Sequence, residues 1–113
     1  MPFVDFNSKM KIRIFEGITG SFHHSKQLTF GHIILEKGTQ APEHSHLHEQ
    51  WTHLISGELE FKVDGEIMVL TAGMAAFIPS NVPHSARAIT ECKVIDCFLP
   101  VREDFAELEK KSN

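Results

Sequence analysis

Short stretches in which apolar and polar residues alternate, separated by turns rich in glycine and proline, make up most of the chain. Residues 11–14, Lys-Ile-Arg-Ile, have a period of two, which is typical of a strand with one buried face. Gly17 and Gly20 are expected to end this strand, and residues 21–26 to form a polar loop. The same criteria predict strands over residues 27–36, 51–55, 58–63, 66–70, 75–78, 85–89 and 92–99.

Two further signals complete the predicted fold. Asp64-Gly65, between two of these strands, marks a tight hairpin. Residues 102–110 carry acidic residues early, a lysine late and apolar side chains at Phe105 and Leu108, which predicts a short amphipathic helix. Some eight or nine short strands at regular spacing predict an all-β fold, an antiparallel β-barrel or jelly roll, with this short C-terminal helix.

Length and charge restrict the architecture and the partners. The 113 residues suffice for one hydrophobic core, so we expect a single domain over residues 1–113 with its barrel core at about residues 27–100. The net charge is −4 and the eleven basic residues are scattered, so the basic surface that nucleic-acid binding requires is missing. We therefore expect no nucleic-acid partner.

The N-terminal segment and the two cysteines indicate where the protein is located and how it assembles. Residues 1–5 lack the regions of a signal peptide and no apolar run approaches membrane-spanning length, so a cytoplasmic protein without membrane contact is expected. Cys92 and Cys97 fall on opposite faces of one strand, which predicts two reduced thiols. The apolar segment at residues 3–6 could pair with a second subunit, which predicts a homodimer.

A cluster of histidines supplies the first candidate chemistry. His44 and His46 are two residues apart, so in an extended strand their side chains point to the same face. Gln50 has the same parity, and an amide oxygen is a suitable uncharged ligand beside imidazoles. These three residues predict a site for one divalent transition metal ion, with zinc, nickel, iron, manganese and copper all suited to imidazole. They leave open whether a distant donor completes the site.

Positions in two separate stretches match the motifs of a known superfamily. The spacing of the two cupin motifs is matched at Gly38, His44, His46, Gly57, Gly73, Pro79 and His84. Gln50, Asn81 and Ala88 stand where the motifs usually have Glu, Gly and Asn. The chain thus resembles the cupin superfamily, which implies a cupin barrel and a metal ion bound by His44, His46, Gln50 and His84.

The composition of this ligand set has a consequence for the substrate. Three imidazoles and one amide oxygen leave the full charge of the ion, so the site should attract an anionic substrate and act as a Lewis acid. The remaining histidines have no ligand spacing and are expected outside the chemistry: His23, His24, His32, His48 and His53. His53 has the opposite parity to Gln50 and should face away from the metal.

The stretch Asp96-Cys97-Phe98-Leu99-Pro100-Val101-Arg102 is the second informative one. Asp96 and Phe98 share a strand face and could both look into the mouth of the cavity, where a carboxylate beside an apolar ring is a candidate proton carrier. Arg102 can bind a substrate carboxylate with two parallel hydrogen bonds. Two alternatives stay open: a surface ion pair of Asp96 with Arg87 or Arg102, and a purely structural Phe98.

This closing stretch, together with the ligand set, resembles the KdgF-type cupins, which linearise the 4,5-unsaturated uronates that lyases release from pectin or alginate. The resemblance implies a metal-dependent isomerase for a small anionic sugar acid, catalysing ring opening and ketonisation. It implies that Asp96 is the catalytic acid and base, and that Phe98 and Arg102 bind the sugar. The alternatives are a cupin-type metal-dependent dioxygenase and a cupin that binds a sugar or small acid without catalysis.

Overall fold

The structure, a computed structural model, describes residues 2–111. In this part of the chain a 3₁₀ turn, Phe6–Ser8, precedes ten strands and one helix. The strands are β1 Ile12–Phe15, β2 Ile18–His24, β3 Thr29–Leu35, β4 Gln40–His44, β5 Glu49–Ser56, β6 Leu59–Val63, β7 Glu66–Leu70, β8 Ala75–Ile78, β9 His84–Ala88 and β10 Cys92–Leu99. The helix, α1, is Glu103–Lys111.

The strands form two antiparallel sheets. One has six strands in the order β1-β2-β3-β10-β5-β8, and the other has four in the order β4-β9-β6-β7. Alternate residues of β3, β5 and β10 are buried. The buried apolar residues of the chain form one cluster that includes Phe22, Leu54, Leu59 and Ile78. The prediction of an all-β barrel or jelly roll with a short C-terminal helix is therefore confirmed, although the described chain has ten strands instead of eight or nine.

One predicted loop is a strand. Residues 21–26 were expected to be a loop after Gly20, but β2 runs through Gly20 to His24. The reason is the ring of Phe22, which is 1% exposed and lies close to the backbone of its own strand and to that of β3. A Cβ atom would lie 2.8 Å from this ring at Gly20 and 2.6 Å from it at Gly31, the residue opposite Phe22 on β3. Glycine therefore makes room for a core side chain here and does not end the strand.

The predicted hairpin is present between β6 and β7. Val63 pairs with Glu66, so Asp64 and Gly65 form a two-residue turn. Both have positive φ angles, 49° and 82°, as a type I′ turn requires. This turn fixes the register of β6 and β7, and β7 is an edge strand of the four-stranded sheet.

The C-terminal helix packs onto the core, as its apolar positions predict. The ring of Phe105 lies 4.5 Å from that of Phe22 and 5.7 Å from that of Phe98.

No helix in residues 2–111 is both long and apolar enough to cross a membrane. Cys92 is buried, Cys97 is partly exposed and both are free thiols, in agreement with their opposite parity. The predicted pairing of residues 3–6 with a second subunit stays a prediction.

Candidate metal centre

The three histidines of the two motifs meet at one end of the four-stranded sheet. His44 is the last residue of β4, His84 is the first of β9, and the two are paired directly across these strands. His46 follows His44 in the bend that leads to β5. One ring nitrogen of each histidine lies within 4.8 Å of those of the other two. This distance allows all three to bind a single ion.

Strand alternation alone does not explain this convergence. The sequence placed His44, His46 and Gln50 on one extended strand, but β4 ends at His44 and β5 begins only at Glu49. His46 therefore reaches the site because the chain bends between the two sheets. Gln50 reaches it from the six-stranded sheet, as an inward-facing residue of β5 that is 8% exposed.

Hydrogen bonds to the backbone fix the tautomer of each ring. The Nδ1 atoms of His44, His46 and His84 lie 2.6, 3.0 and 2.8 Å from the carbonyl oxygens of Pro42, His48 and Val82, respectively. A carbonyl oxygen only accepts hydrogen bonds, so each Nδ1 carries the proton and donates it. Each Nε2 is then left with a lone pair, the form in which histidine binds a metal ion.

The amide of Gln50 is oriented in the same way. Its nitrogen donates to the Oγ1 atom of Thr52 at 2.9 Å, which turns its oxygen toward His46 Nε2 at 3.0 Å. His84 Nε2 is buried and has no hydrogen-bond partner among residues 2–111. Buried lone pairs without a donor are costly, and a cation between them removes that cost. The donor set therefore fits a divalent transition metal ion, whose identity these ligands do not select.

The pKa values of the imidazoles favour the neutral form that a metal requires. Burial, followed by the charges of Arg102 and His84, lowers the pKa of His46 to about 4. Burial also lowers the pKa of His84. At neutral pH these rings carry no proton on Nε2 that a metal ion would have to displace.

Asp96 lies inside the barrel and not at an exposed rim. It is on the central strand β10, opposite Gly31 on β3 and Thr52 on β5, and is 5% exposed. Its Oδ1 atom has no hydrogen-bond partner in the described chain. Burial raises the pKa of Asp96 to about 7, although the Thr52 hydroxyl and the charge of Arg102 oppose the rise. Such a carboxyl can both donate and accept a proton near neutral pH.

The surface ion pair that was the alternative for Asp96 is not formed. Arg87 pairs with Glu60 at 3.5 Å, and Arg102 pairs with Asp104 at 2.8 Å. Asp96 is therefore available to a molecule in the cavity.

Phe98 and Arg102 line the cavity and contact Phe105 of the C-terminal helix. Phe98 is 3% exposed and pairs with Gln50 across β10 and β5, and its ring lies 6.0 Å from that of His46. The guanidinium carbon of Arg102 lies 4.7 Å from the centroid of the Phe98 ring and 3.8 Å from that of Phe105. Phe98 is thus both a core residue and part of the wall of the site.

One cavity connects all of these groups. It is lined by the seven residues that the sequence singled out: His44, His46, Gln50, His84, Asp96, Phe98 and Arg102. Thr52 and Phe15 also line it, and the remaining wall is largely aliphatic. Such a cavity can hold a small anion between a cation site, a guanidinium and a protonatable carboxyl.

Thr52 and Phe15 lie beside predicted site residues and are among the lining residues that the sequence analysis did not single out. Thr52 has the parity of Gln50 and lies opposite Asp96, so a correct strand pairing would have found it. Phe15, whose ring lies 5.6 Å from that of His44, has no local signal of this kind. His53 is exposed on the outer face, as predicted, and His24 binds Glu109 on α1, away from the ligand set.

Comparisons with known proteins agree with this geometry. The model of the cupin domain family matches residues 31–98. The chain is 34% identical over 75 residues to the pectin degradation protein KdgF of Dickeya dadantii, which covers 65% of this chain and 68% of that protein.

Two solved structures are similar over nearly their whole length. An RmlC-like cupin from Shewanella frigidimarina has a TM-score of 0.87 and 34% identity, covering 93% of this chain and 96% of the other. KdgF from Halomonas sp. has a TM-score of 0.86 and 26% identity, covering 93% of this chain and 98% of the other. The chain therefore belongs to the cupin domain family and is a small cupin similar to KdgF.

Proposed function

We propose that this cupin is a metal-dependent isomerase that opens the ring of 4,5-unsaturated uronates and converts the resulting enol to a ketone. The observation that carries the proposal is the buried carboxyl of Asp96, which shares one cavity with the histidine cluster and Arg102. The similarity to KdgF, one relative being named a pectin degradation protein, supports the same substrate class.

Arg102 and Phe98 have the chemistry to bind such a sugar. The substrate carries a carboxylate on C5, which a guanidinium can bind through two parallel hydrogen bonds. The double bond between C4 and C5 flattens one side of the ring, which suits contact with the Phe98 ring. Both side chains line the cavity beside Asp96. In this role they orient C4 and the C1 hydroxyl toward the carboxyl.

Asp96 would move the single proton that the reaction requires. Its carboxylate takes the proton of the C1 hydroxyl, the bond between C1 and the ring oxygen breaks, and C1 becomes an aldehyde. The electron pair of the broken bond stays on the former ring oxygen, which is now the enolate oxygen at C5, the conjugate base of the enol. Transfer of the proton from Asp96 to C4 converts this enolate to the 5-keto form, so substrate and product are isomers. A positioned proton carrier contributes about 10²- to 10⁴-fold to such a rate.

The proposed metal ligands are His44, His46, Gln50 and His84. When bound, a divalent ion would supply Lewis-acid polarisation of a substrate oxygen. Because none of these four residues is a carboxylate, they leave the charge of the ion available to an anionic substrate. The backbone bonds of the three Nδ1 atoms hold the rings in the required tautomer before binding.

Turnover of unsaturated uronate monomers tests the proposal. Loss of the ultraviolet absorbance of the conjugated enol is followed with metal-loaded protein. Asp96→Asn should abolish this loss while metal content stays unchanged. Asp64→Asn makes the same carboxyl-to-amide change in an exposed hairpin and should keep wild-type turnover.

Three outcomes would contradict the proposal in different ways. Wild-type turnover by Asp96→Asn would remove the proton carrier. Oxygen consumption by the metal-loaded protein would indicate a dioxygenase. Uronate binding without any turnover would indicate a binding protein.

A further inference from the structure

We propose that Asp104 is a positioning residue that holds the guanidinium of Arg102 in the one orientation that receives the substrate carboxylate. This inference rests on the proposed function, in which Arg102 binds the carboxylate. It adds a residue from the C-terminal helix, outside the matched cupin region at residues 31–98, to the working parts of the site.

The hydrogen bonds between the two side chains leave one defined edge of the guanidinium free. Arg102 Nε donates to Asp104 Oδ1 at 3.0 Å, and Nη2 donates to Oδ2 at 2.8 Å. Guanidinium has five N–H groups, so this pair uses the side formed by Nε and Nη2. The end formed by Nη1 and Nη2 keeps its two parallel N–H groups. A second carboxylate can therefore bind Arg102 end-on while Asp104 stays bound side-on.

Other contacts hold the backbone and the plane of the guanidinium group of Arg102, but they do not fix the direction in which its N–H groups point. Its backbone N–H donates to Thr29 Oγ1 at 2.8 Å, and its guanidinium carbon lies over the Phe98 and Phe105 rings. These contacts with aromatic rings stabilise the cation but allow it to rotate within its plane. Among the contacts within residues 2–111, the bidentate pair with Asp104 is the one that defines that rotation.

Burial makes the pairing more than a surface ion pair. The Arg102 side chain is 10% exposed, whereas that of Asp104 is 57% exposed. Asp104 thus reaches inward from the surface to a cation that has lost most of its water. Hydrogen bonds from Arg102 also lower the pKa of Asp104, so the carboxylate stays charged at neutral pH. Without Asp104, the guanidinium would recover hydration by turning outward, away from the cavity.

The kinetics of a variant without the Asp104 carboxylate distinguish a residue that positions Arg102 from one that competes with the substrate for it. If Asp104 competed with the substrate for Arg102, its removal would lower KM. If Asp104 positions Arg102, its removal raises KM and leaves kcat almost unchanged, because the proton carrier Asp96 is not altered. A merely structural role would reduce the active fraction, which lowers kcat and leaves KM unchanged.

Asp104→Asn, Asp104→Glu and Glu107→Gln test the inference in the full-length, metal-loaded protein. The amide of Asn would present a donor to Nη2, so the bidentate pair is lost. We expect KM for the unsaturated uronate to rise about tenfold with kcat within about twofold, and the affinity for D-galacturonate, a non-reacting probe, to fall by a similar factor. Asp104→Glu keeps the carboxylate and should stay within about threefold of wild type.

Glu107→Gln is the matched control. It removes the same charge from the same helix, and the Glu107 carboxylate contacts Lys110 at 3.6 Å instead of Arg102. It should leave KM and kcat unchanged. If Asp104→Asn behaves like Glu107→Gln, or lowers KM, the positioning role is wrong while the proposed function stands. If wild-type protein neither turns over nor binds uronates, the proposed function fails and the inference fails with it.

Discussion

His46 Nε2 faces Gln50 Oε1 at 3.0 Å, and both atoms present lone pairs. The ring cannot donate here, because its proton is on Nδ1, which donates to the His48 carbonyl oxygen. The amide cannot reverse without losing the bond from its nitrogen to Thr52. Two acceptors at this distance repel each other, and a cation bound to both turns repulsion into attraction. This arrangement supports the proposal that both residues bind one ion.

Removal of the metal should lower the stability of the protein. A ligand that binds only the folded state, present at a thousand times its Kd, stabilises by about 4 kcal/mol. We expect a chelator to lower the thermal midpoint of the wild-type protein. The variant His84→Ala should bind little metal, so the chelator should not change its thermal midpoint.

His53→Ala serves as the control for this experiment, because His53 is exposed on the outer face of β5. It should keep both the metal content and the response to the chelator. An unchanged midpoint of the wild-type protein after complete removal of metal would contradict the prediction.

Gln50→Glu should separate metal binding from substrate binding. The carboxylate keeps an oxygen ligand and adds a negative charge, so metal content should be retained or increased. The same charge reduces the attraction of the site for an anionic sugar, and we expect KM to rise several-fold. Measurement of metal content and KM on one preparation tests both effects. Unchanged KM with full metal content would show that the charge of the site does not govern substrate binding.

Asp96 should make the stability of the metal-free protein depend on pH. Its pKa is raised from 3.8 to about 7 in the folded protein, so the folded state binds the proton more tightly than the unfolded state. Stability from this group is complete below about pH 4 and is lost as pH rises through about 7, at no more than about 1.4 kcal/mol per pH unit.

Asp96→Asn isolates this contribution. Urea unfolding of both proteins in chelator, from pH 5 to pH 8, should give a difference in the free energy of unfolding that grows with pH in favour of the variant. Parallel profiles would show that the carboxyl of Asp96 is already charged in the folded protein at pH 5.

Two glycines with positive φ angles should differ in their tolerance of alanine. At Gly57 (φ 97°), a Cβ atom would lie 2.3 Å from the backbone oxygen of Glu91, whereas at Gly65 (φ 82°) nothing lies within 4 Å. The left-handed conformation alone costs about 1–2 kcal/mol, which is the loss expected for Gly65→Ala. Gly57→Ala should cost at least about 2 kcal/mol more, because a backbone must move. Equal losses by denaturant titration would show that the contact at Gly57 relaxes freely.

Alternation of apolar and polar residues was sufficient to predict most strands. β7, β8 and β10 have the predicted bounds, and β10 has the predicted faces, with Asp96 and Phe98 inside and Cys97 half-buried. The hairpin was also predictable, because Asp64-Gly65 is a local signal that needs no tertiary contact. The β2 strand was not, because the ring that makes Gly20 necessary packs across two strands.

The site was predicted more completely than the path of the chain through it. The prediction that His44, His46 and His84 come together was correct. The bend that brings His46 to the other two could not be predicted, because it depends on how the two sheets meet. The depth of Asp96 could not be predicted either, since parity indicates a face and not a distance from solvent. The pairing of Arg102 with Asp104, two residues away, was visible in the sequence only as two opposite charges at the start of a helix.

The proposed ligands belong to both sheets: His44 and His84 to the four-stranded one and Gln50 to the six-stranded one. An ion bound to all three would join the two sheets, which could then separate only after it dissociates. Proteases cut chains in such opened states. With the proposed ligands, the supply of this metal would then set the lifetime of the protein as well as the proposed activity, and lack of the ion would reduce both together.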